Sequence, residues 1–210
     1  NLASIRGEIF KMDVTRFIKV YENAIDAQLC DKIIKRFKKD RKLHTGPGRQ
    51  KLNENHLGNP DSKWTELRID DLAQWNSIRE KLVENCQVFG QQYINEVEAY
   101  IPVEATLETF RMKWYQKEKK EQFAPHIDAD KLATGNRCLT FLWYLTDVSQ
   151  GGETNFVTLD YKSPAKKGSL LIFPPYWMYP HMGEVPISND KYIISTFLEC
   201  ADDVFVIRYW

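Results

Sequence analysis

From Ile101 onward the chain is written in short β-rich runs broken by Gly, Pro and Asp, and this texture limits the fold more than any other feature. The runs are Thr106–Gln116, Cys138–Thr146, Ser169–Phe173 and Lys191–Glu199, with weaker pieces near Glu153–Val157 and Phe205–Tyr209. Short runs separated by turn residues form antiparallel sheets that pack face to face or close on themselves. Residues 1–100 read differently. Phe17–Tyr21 is a short strand, and Asp26 then caps a helix reaching about Lys39, with Leu29, Ile33, Ile34 and Phe37 at helical spacing. A second helix spans about Asp71 to Tyr93, its apolar stripe formed by Leu72, Trp75, Ile78, Leu82, Val83, Phe89 and Tyr93. Between the helices, residues 40–65 carry Gly46-Pro47-Gly48 and Gly58-Asn59-Pro60, a polar loop of a length that is either mobile or functional. Helices first and strands later predict an α+β chain built on an antiparallel sandwich or barrel. No internal repeat is visible.

A chain of 210 residues fits one domain with ample core. Lys plus Arg equals Asp plus Glu at 29 each, so the overall field that would draw nucleic acid is absent. The Lys35–Arg41 and Lys117–Lys120 clusters are helical or mixed with acids and read as solvated faces. Cys30, Cys86, Cys138 and Cys200 are scattered and read as reduced thiols. No apolar run approaches the roughly 20 residues of a membrane helix, and Asn1 to Lys11 lack the apolar core of a signal peptide. Asn at position 1, rather than Met, fits a removed start. The expectation is a cytoplasmic protein with no membrane and no nucleic-acid partner.

Against that background His126-Ile127-Asp128, followed by His181 and Lys191, stands out. A single histidine beside Pro125 reads as an ordinary hydrogen-bonded loop residue, and H-x-D alone is a weak motif. Placement raises its weight. On a strand, positions i and i+2 share a face, so His126 and Asp128 can point at one ion, with His181 arriving from a different strand. Two imidazoles and one carboxylate suit a ferrous ion with open positions. Zinc competes for the same ligands, but there is no H-E-x-x-H and no obvious further carboxylate placed as a general base. Lys191 would pair with an anionic co-substrate such as a dicarboxylate.

Strand parity supplies neighbours. Lys191, Ile193, Ser195 and Phe197 share one face of their run, and Cys138, Thr140, Leu142 and Tyr144 share one face of theirs. Leu107, Thr109, Arg111, Lys113 and Tyr115 do the same in the run before the H-x-D motif. A cavity lined by Lys191, Ser195, Thr140, Tyr144 and Tyr115, with Leu142 and Ile193 as apolar walls, would hold a small anion. Taken alone, each tyrosine is equally an ordinary half-buried strand aromatic.

The ordered set resembles the 2-oxoglutarate/Fe(II)-dependent dioxygenase superfamily, and within it the prolyl 4-hydroxylase-like branch. The resemblance runs over roughly residues 106–199: Tyr115; His126 and Asp128; Arg137 with Tyr144-Leu145; Gly151-Gly152-Glu153-Thr154-Asn155-Phe156; Lys167-Gly168-Ser169; His181; and Lys191-Tyr192. It implies a double-stranded β-helix, a distorted jelly roll, with N-terminal supporting helices. On that reading residues 1–210 form a single dioxygenase domain, with helical support and a variable substrate loop before about residue 100 and the catalytic core after it. The resemblance assigns His126, Asp128 and His181 to catalytic Fe(II). It assigns Lys191 to the 5-carboxylate of 2-oxoglutarate, Tyr115 or Tyr144 to the same co-substrate, and Arg137 and Phe197 to substrate, with ascorbate as a candidate accessory. Thr140, Ser195 and Leu142 complete the expected co-substrate pocket.

The expected substrate is a prolyl residue in a peptide or protein. Residues 40–65 and the run Tyr176-Trp177-Met178-Tyr179 would form a lid and platform over an extended Pro-rich segment, with Trp177 touching substrate. The same aromatics could instead pack a strand connection. Departures from the family pattern fall outside the metal ligands: the charged Lys117–Gln122 segment, Val185-Pro186 after His181, and Thr146 after Tyr144-Leu145. They bear on substrate, so an oxygenase acting on another residue, a free amino acid or a small metabolite stays open. So does a catalytically silent jelly-roll binding module.

Overall fold

The computed structural model describes residues 13–46, 61–100 and 105–200. The run expected at Phe205–Tyr209 and residues 47–60 of the expected loop lie outside the described residues. The described residues open with a single 3-10 turn, Val14–Phe17, which shortens the first strand to Lys19–Tyr21 (β1). Helix α1 (Ala27–Lys39) starts where expected, because the Asp26 carboxylate accepts the Leu29 N–H at 2.6 Å. Cys30, Ile33 and Phe37 form its buried face, with Leu29 and Ile34 on the flank. After the turn Arg41–Leu43, Thr45 pairs with Glu66, and Thr65–Arg68 is a strand (β2). The end of the expected loop is therefore built into a sheet.

The second helix differs at both ends. Ala73–Trp75 is a 3-10 turn, and α2 runs Asn76–Val97. Trp75 is fully buried and donates its indole N–H to Asp40 at 2.8 Å, tying the entry of α2 to the exit of α1. The buried face is Ile78, Leu82, Cys86, Gly90, Tyr93 and Val97, spaced three or four residues apart. Val83 and Phe89 sit beside it, partly buried.

The remaining strands are β3 (Ala105–Leu107), β4 (Arg111–Tyr115), β5 (Phe123–His126), β6 (Arg137–Tyr144), β7 (Thr154–Phe156), β8 (Tyr161–Ser163), β9 (Leu170–Phe173), β10 (His181–Gly183) and β11 (Lys191–Cys200). Among the described residues they form two antiparallel sheets. The larger has the order β1-β9-β6-β11-β4-β2, with β3 also paired to β11; the smaller has the order β5-β10-β7-β8. Facing sheets with this crossing order are a double-stranded β-helix, as expected, and α1 and α2 cover the outer face of the larger sheet. One core, including Phe37, Leu82, Met112, Trp143 and Ile194, lies between helices and sheet. A second, including Tyr115, Leu142, Phe156, Phe173 and Ile193, lies between the sheets. Strand β6 is covered on both faces and all eight of its residues are buried.

The expected continuous strand Thr106–Gln116 is two strands. Residues 108–110 leave the ladder: the Glu108 N–H donates to the Phe197 carbonyl at 2.9 Å, and the Phe110 N–H donates to the Asp70 carboxylate at 2.7 Å. This interruption resets the side-chain alternation. Leu107 pairs with Leu198 and joins the helix-side core, while Arg111, Lys113 and Tyr115 face the other sheet. Leu107 therefore does not share the face of Tyr115.

All four cysteines are buried free thiols. No helix among the described residues is long and apolar enough to cross a membrane. The Gly-Gly turn has a conformational basis. Gly151 has φ +68°, and a Cβ there would overlap the Val185 carbonyl oxygen. Gly151→Ala is expected to cost more than about 2 kcal/mol, read as a fall in thermal unfolding temperature.

Candidate active site

Strands β5 and β10 are hydrogen-bonded neighbours with His126 directly opposite His181, so the smaller sheet itself sets the two imidazoles side by side. The Nδ1 atoms of His126 and His181 lie 2.9 Å and 3.0 Å from the carbonyls of Ala124 and Tyr179. A carbonyl only accepts, so each Nδ1 must carry the proton, and each Nε2 is left as the ligating atom. Phe123 stacks on His126 with centroids 3.6 Å apart, and Phe173 meets His181 edge-on at 4.8 Å. Both rings are thus fixed in orientation.

Asp128 is not on the strand, as parity had suggested, but in the bend just beyond it. Three contacts place it. The Ala129 N–H donates to the Pro175 carbonyl at 3.0 Å, Arg137 Nη1 donates to the Asp128 carbonyl at 2.6 Å, and Thr140 Oγ1 donates to Asp128 Oδ2 at 2.8 Å. The carboxylate oxygens lie 3.5 Å from His126 Nε2 and 3.6 Å from His181 Nε2. One donor atom from each of the three residues lies within 4.8 Å of the others, a group able to hold one metal ion.

Electrostatics prepare this group for a cation. Burial pushes His181 down to about 4, so its imidazole is neutral at pH 7 and Nε2 keeps its lone pair. Burial works against the charge on Asp128, yet the two histidines and Thr140 hold its carboxyl well below the usual carboxylate range. Neutral imidazoles and an ionised carboxylate are the forms that bind metal.

Lys191 is 1% exposed. Its ammonium lies 5.3 Å from the Tyr115 ring centroid and 5.8 Å from that of Tyr144. Burial lowers its pKa to about 7, against the opposing pull of Glu153 and Glu184. Lys191 shares one narrow cavity with the triad, and Tyr115, Thr140, Leu142 and Ser195 line it too. Ser195 Oγ is buried there without a hydrogen-bond partner among the described residues. Tyr144 closes the base behind Lys191 and donates its hydroxyl to Thr154 at 2.6 Å. The donor set fits a 2-His-1-carboxylate iron site, and a buried lysine in the same cavity fits the far carboxylate of a dicarboxylate.

A second cavity of about 300 Å³ opens outside Asp128. Arg137 and Phe197, expected near substrate, both line it, and the Arg137 guanidinium lies 3.7 Å from the Phe197 ring centroid. The same guanidinium also pairs with Glu108, its Nη2 donating at 2.9 Å. Trp177 is not brought to either cavity. It is 75% exposed, while its neighbours Tyr176 and Met178 line a separate apolar groove with Cys138 and Cys200. Thr45, Trp64, Glu66, Arg111 and Lys113, which sequence reasoning did not place in the site, line the outer cavity. Lys113 shares the β4 face of Tyr115, and that parity was the signal that could have found it. Trp64 and Glu66 carried no such signal, because their stretch reads as loop.

Residues 110–199 match the family model described as the 2OG-Fe(II) oxygenase superfamily. Over that segment the chain is similar to this superfamily. Its namesake groups, Fe(II) and 2-oxoglutarate, are those that the donor set and the Lys191 cavity fit. The fold is shared with a viral collagen prolyl hydroxylase from Paramecium bursaria Chlorella virus-1, solved as a 2OG complex, at 20% identity and TM-score 0.62, covering 88% of this chain and 96% of that one. It is shared with a Trichoplax adhaerens prolyl hydroxylase in complex with a hypoxia inducible factor peptide fragment, at 15% identity and TM-score 0.67, covering 88% and 84%. It is also shared with a Pseudomonas putida prolyl-4-hydroxylase at 14% identity and TM-score 0.59, covering 88% and 93%. No curated protein sequence matches the chain.

Thr140 supports the metal ligand through one hydrogen bond. Thr140→Val is expected to weaken divalent-metal binding about ten- to a hundredfold, read by titration with Co(II), with the unfolding temperature of the metal-free protein little changed.

Proposed function

We propose that this oxygenase hydroxylates prolyl residues in a peptide or protein, using Fe(II) and 2-oxoglutarate, and that residues 1–210 work as one dioxygenase domain. The observation that carries the reading is the common cavity of His126, Asp128, His181 and Lys191. Iron held there would supply dioxygen activation coupled to loss of carbon dioxide from 2-oxoglutarate, so that one oxygen atom enters succinate and the other is inserted into a C–H bond of the substrate to give a hydroxyl. In this reading His126 Nε2, His181 Nε2 and the Asp128 carboxylate hold the ion, and Thr140 keeps the carboxylate turned toward it. Lys191 pairs with the far carboxylate of the co-substrate, Tyr115 closes the pocket around it, and Ser195 Oγ offers a polar group further along the same cavity wall. Leu142, Ile193 and Phe123 keep water from the reacting centre.

Peptide specificity is supported by the outer cavity, which begins at Asp128 and has aromatic walls in Trp64, Phe123 and Phe197 suited to a pyrrolidine ring. The three structural neighbours are named as prolyl hydroxylases, and one of them holds a peptide. The deciding experiment is succinate formation by the ferrous protein with a library of Pro-containing peptides, followed by mass spectrometry of the products. Peptide-dependent succinate with oxygen added to proline is the expected result. Oxygen added only to another residue, or turnover stimulated only by small metabolites, would remove the prolyl assignment.

The poised state of Lys191 gives a pH signature. Its ammonium form persists below about 7 and is lost above it, and only that form attracts a carboxylate. Above that pH, binding must first recruit a proton. The affinity for 2-oxoglutarate should therefore fall with rising pH, by up to roughly tenfold per unit, in equilibrium titrations of the ferrous protein. An affinity that is flat or rises over the same range would detach Lys191 from the co-substrate.

A further inference from the structure

The outer cavity is cationic, and we propose that it selects peptides with an acidic side chain next to the residue being oxidised. This rests on the peptide-hydroxylase reading above and names the substrate class more narrowly. Among the described residues Arg111, Lys113, Lys131 and Arg137 line the cavity with Glu66 and Asp128; Glu66 pairs with Arg111 and Glu108 pairs with Arg137, so the positive edge of the opening lies toward Lys113 and Lys131. The chain as a whole is balanced at 29 positive and 29 negative groups, so the excess is a local property of this opening.

Neither carboxylate is placed to turn an incoming anion away. Asp128 is directed at the two histidines. Glu66 accepts from Arg111 at 3.3 Å and from the Trp64 indole at 3.0 Å, which spreads its charge over two donors. The cations differ in setting. Lys113 is 8% exposed and its ammonium lies 5.4 Å from the Trp64 ring centroid and 5.3 Å from that of Phe123. Ring faces screen a charge far less than water does, so its field reaches into the cavity. Lys131 stands exposed at the rim, on the turn that follows Asp128. Both would act on a carboxylate that follows or precedes the target residue.

The register is limited by reach. The cavity starts at a metal ligand, and an extended residue spans about 3.5 Å. An acidic side chain in its roughly 300 Å³ therefore falls one or two positions from the oxidised residue. A neutral flank would gain none of this attraction, and a basic flank would be repelled.

The test uses the full ferrous chain and three peptides that share one proline and differ only in its flanking residues, which are Glu, Gln or Lys. Peptide-dependent succinate formation gives KM for each. The expected KM for the Glu peptide is about three- to tenfold below that for the Gln peptide, with the gap narrowing as salt shortens the Debye length. Lys131→Glu should reduce or invert the order of the Glu and Lys peptides, and Lys131→Gln should halve the change without reversing charge. Equal KM values for all three peptides, with turnover present, would overturn the inference while leaving the hydroxylase reading in place. If none of the three stimulates turnover although 2-oxoglutarate binds the ferrous protein, the peptide reading fails and the inference fails with it.

Discussion

Strand β11 sends its side chains in two directions, and the two halves of the molecule depend on that alternation. Tyr192, Ile194 and Leu198 enter the core under the helices, while Lys191, Ile193, Ser195 and Phe197 face the space between the sheets. The strand is paired on both edges, to β6 on one side and to β4 and β3 on the other, so its backbone is fixed along its length. A slip of one residue would exchange the two sets, driving Lys191 into the helix-side core. The register that packs the helices is therefore the register that delivers a lysine to the site.

The site that results is held in a state that favours ligands over emptiness. Burial strips water from His181 and Lys191 and pushes both toward their neutral forms, while Asp128 stays ionised beside the histidines. A neutral His181 and an ionised Asp128 are the forms that take up a metal ion, and the buried Lys191 suits a dicarboxylate. Thr140 and Arg137 tie Asp128 from its side chain and its backbone, so the bend beyond β5 does not need to be part of the ladder.

Much of this was legible in sequence where a period of two ran unbroken. The faces of β6 and β11 follow directly from alternation, as does the capped helix at Asp26. Leu107 departs from the alternation because residues 108–110 leave the sheet, held by Phe197 and Asp70, two partners distant in sequence. Strands of three or four residues, such as β2, β8 and β10, carry too few alternations to register. Trp177 looked like a substrate platform because aromatics cluster around it. Its neighbours fill a groove of their own, and a single sequence cannot show which way such a run turns. The hydroxyl partners of Tyr144 and Thr140 are tertiary contacts and likewise had no local signature.

We propose that one cavity binds metal and 2-oxoglutarate together, through the triad and Lys191. Anaerobic titration of 2-oxoglutarate into the protein, with and without ferrous iron, tests it most directly. Binding is expected to require iron, to disappear in His181→Ala and to weaken strongly in Lys191→Met. Binding of equal strength without iron, or unchanged in Lys191→Met, would contradict it.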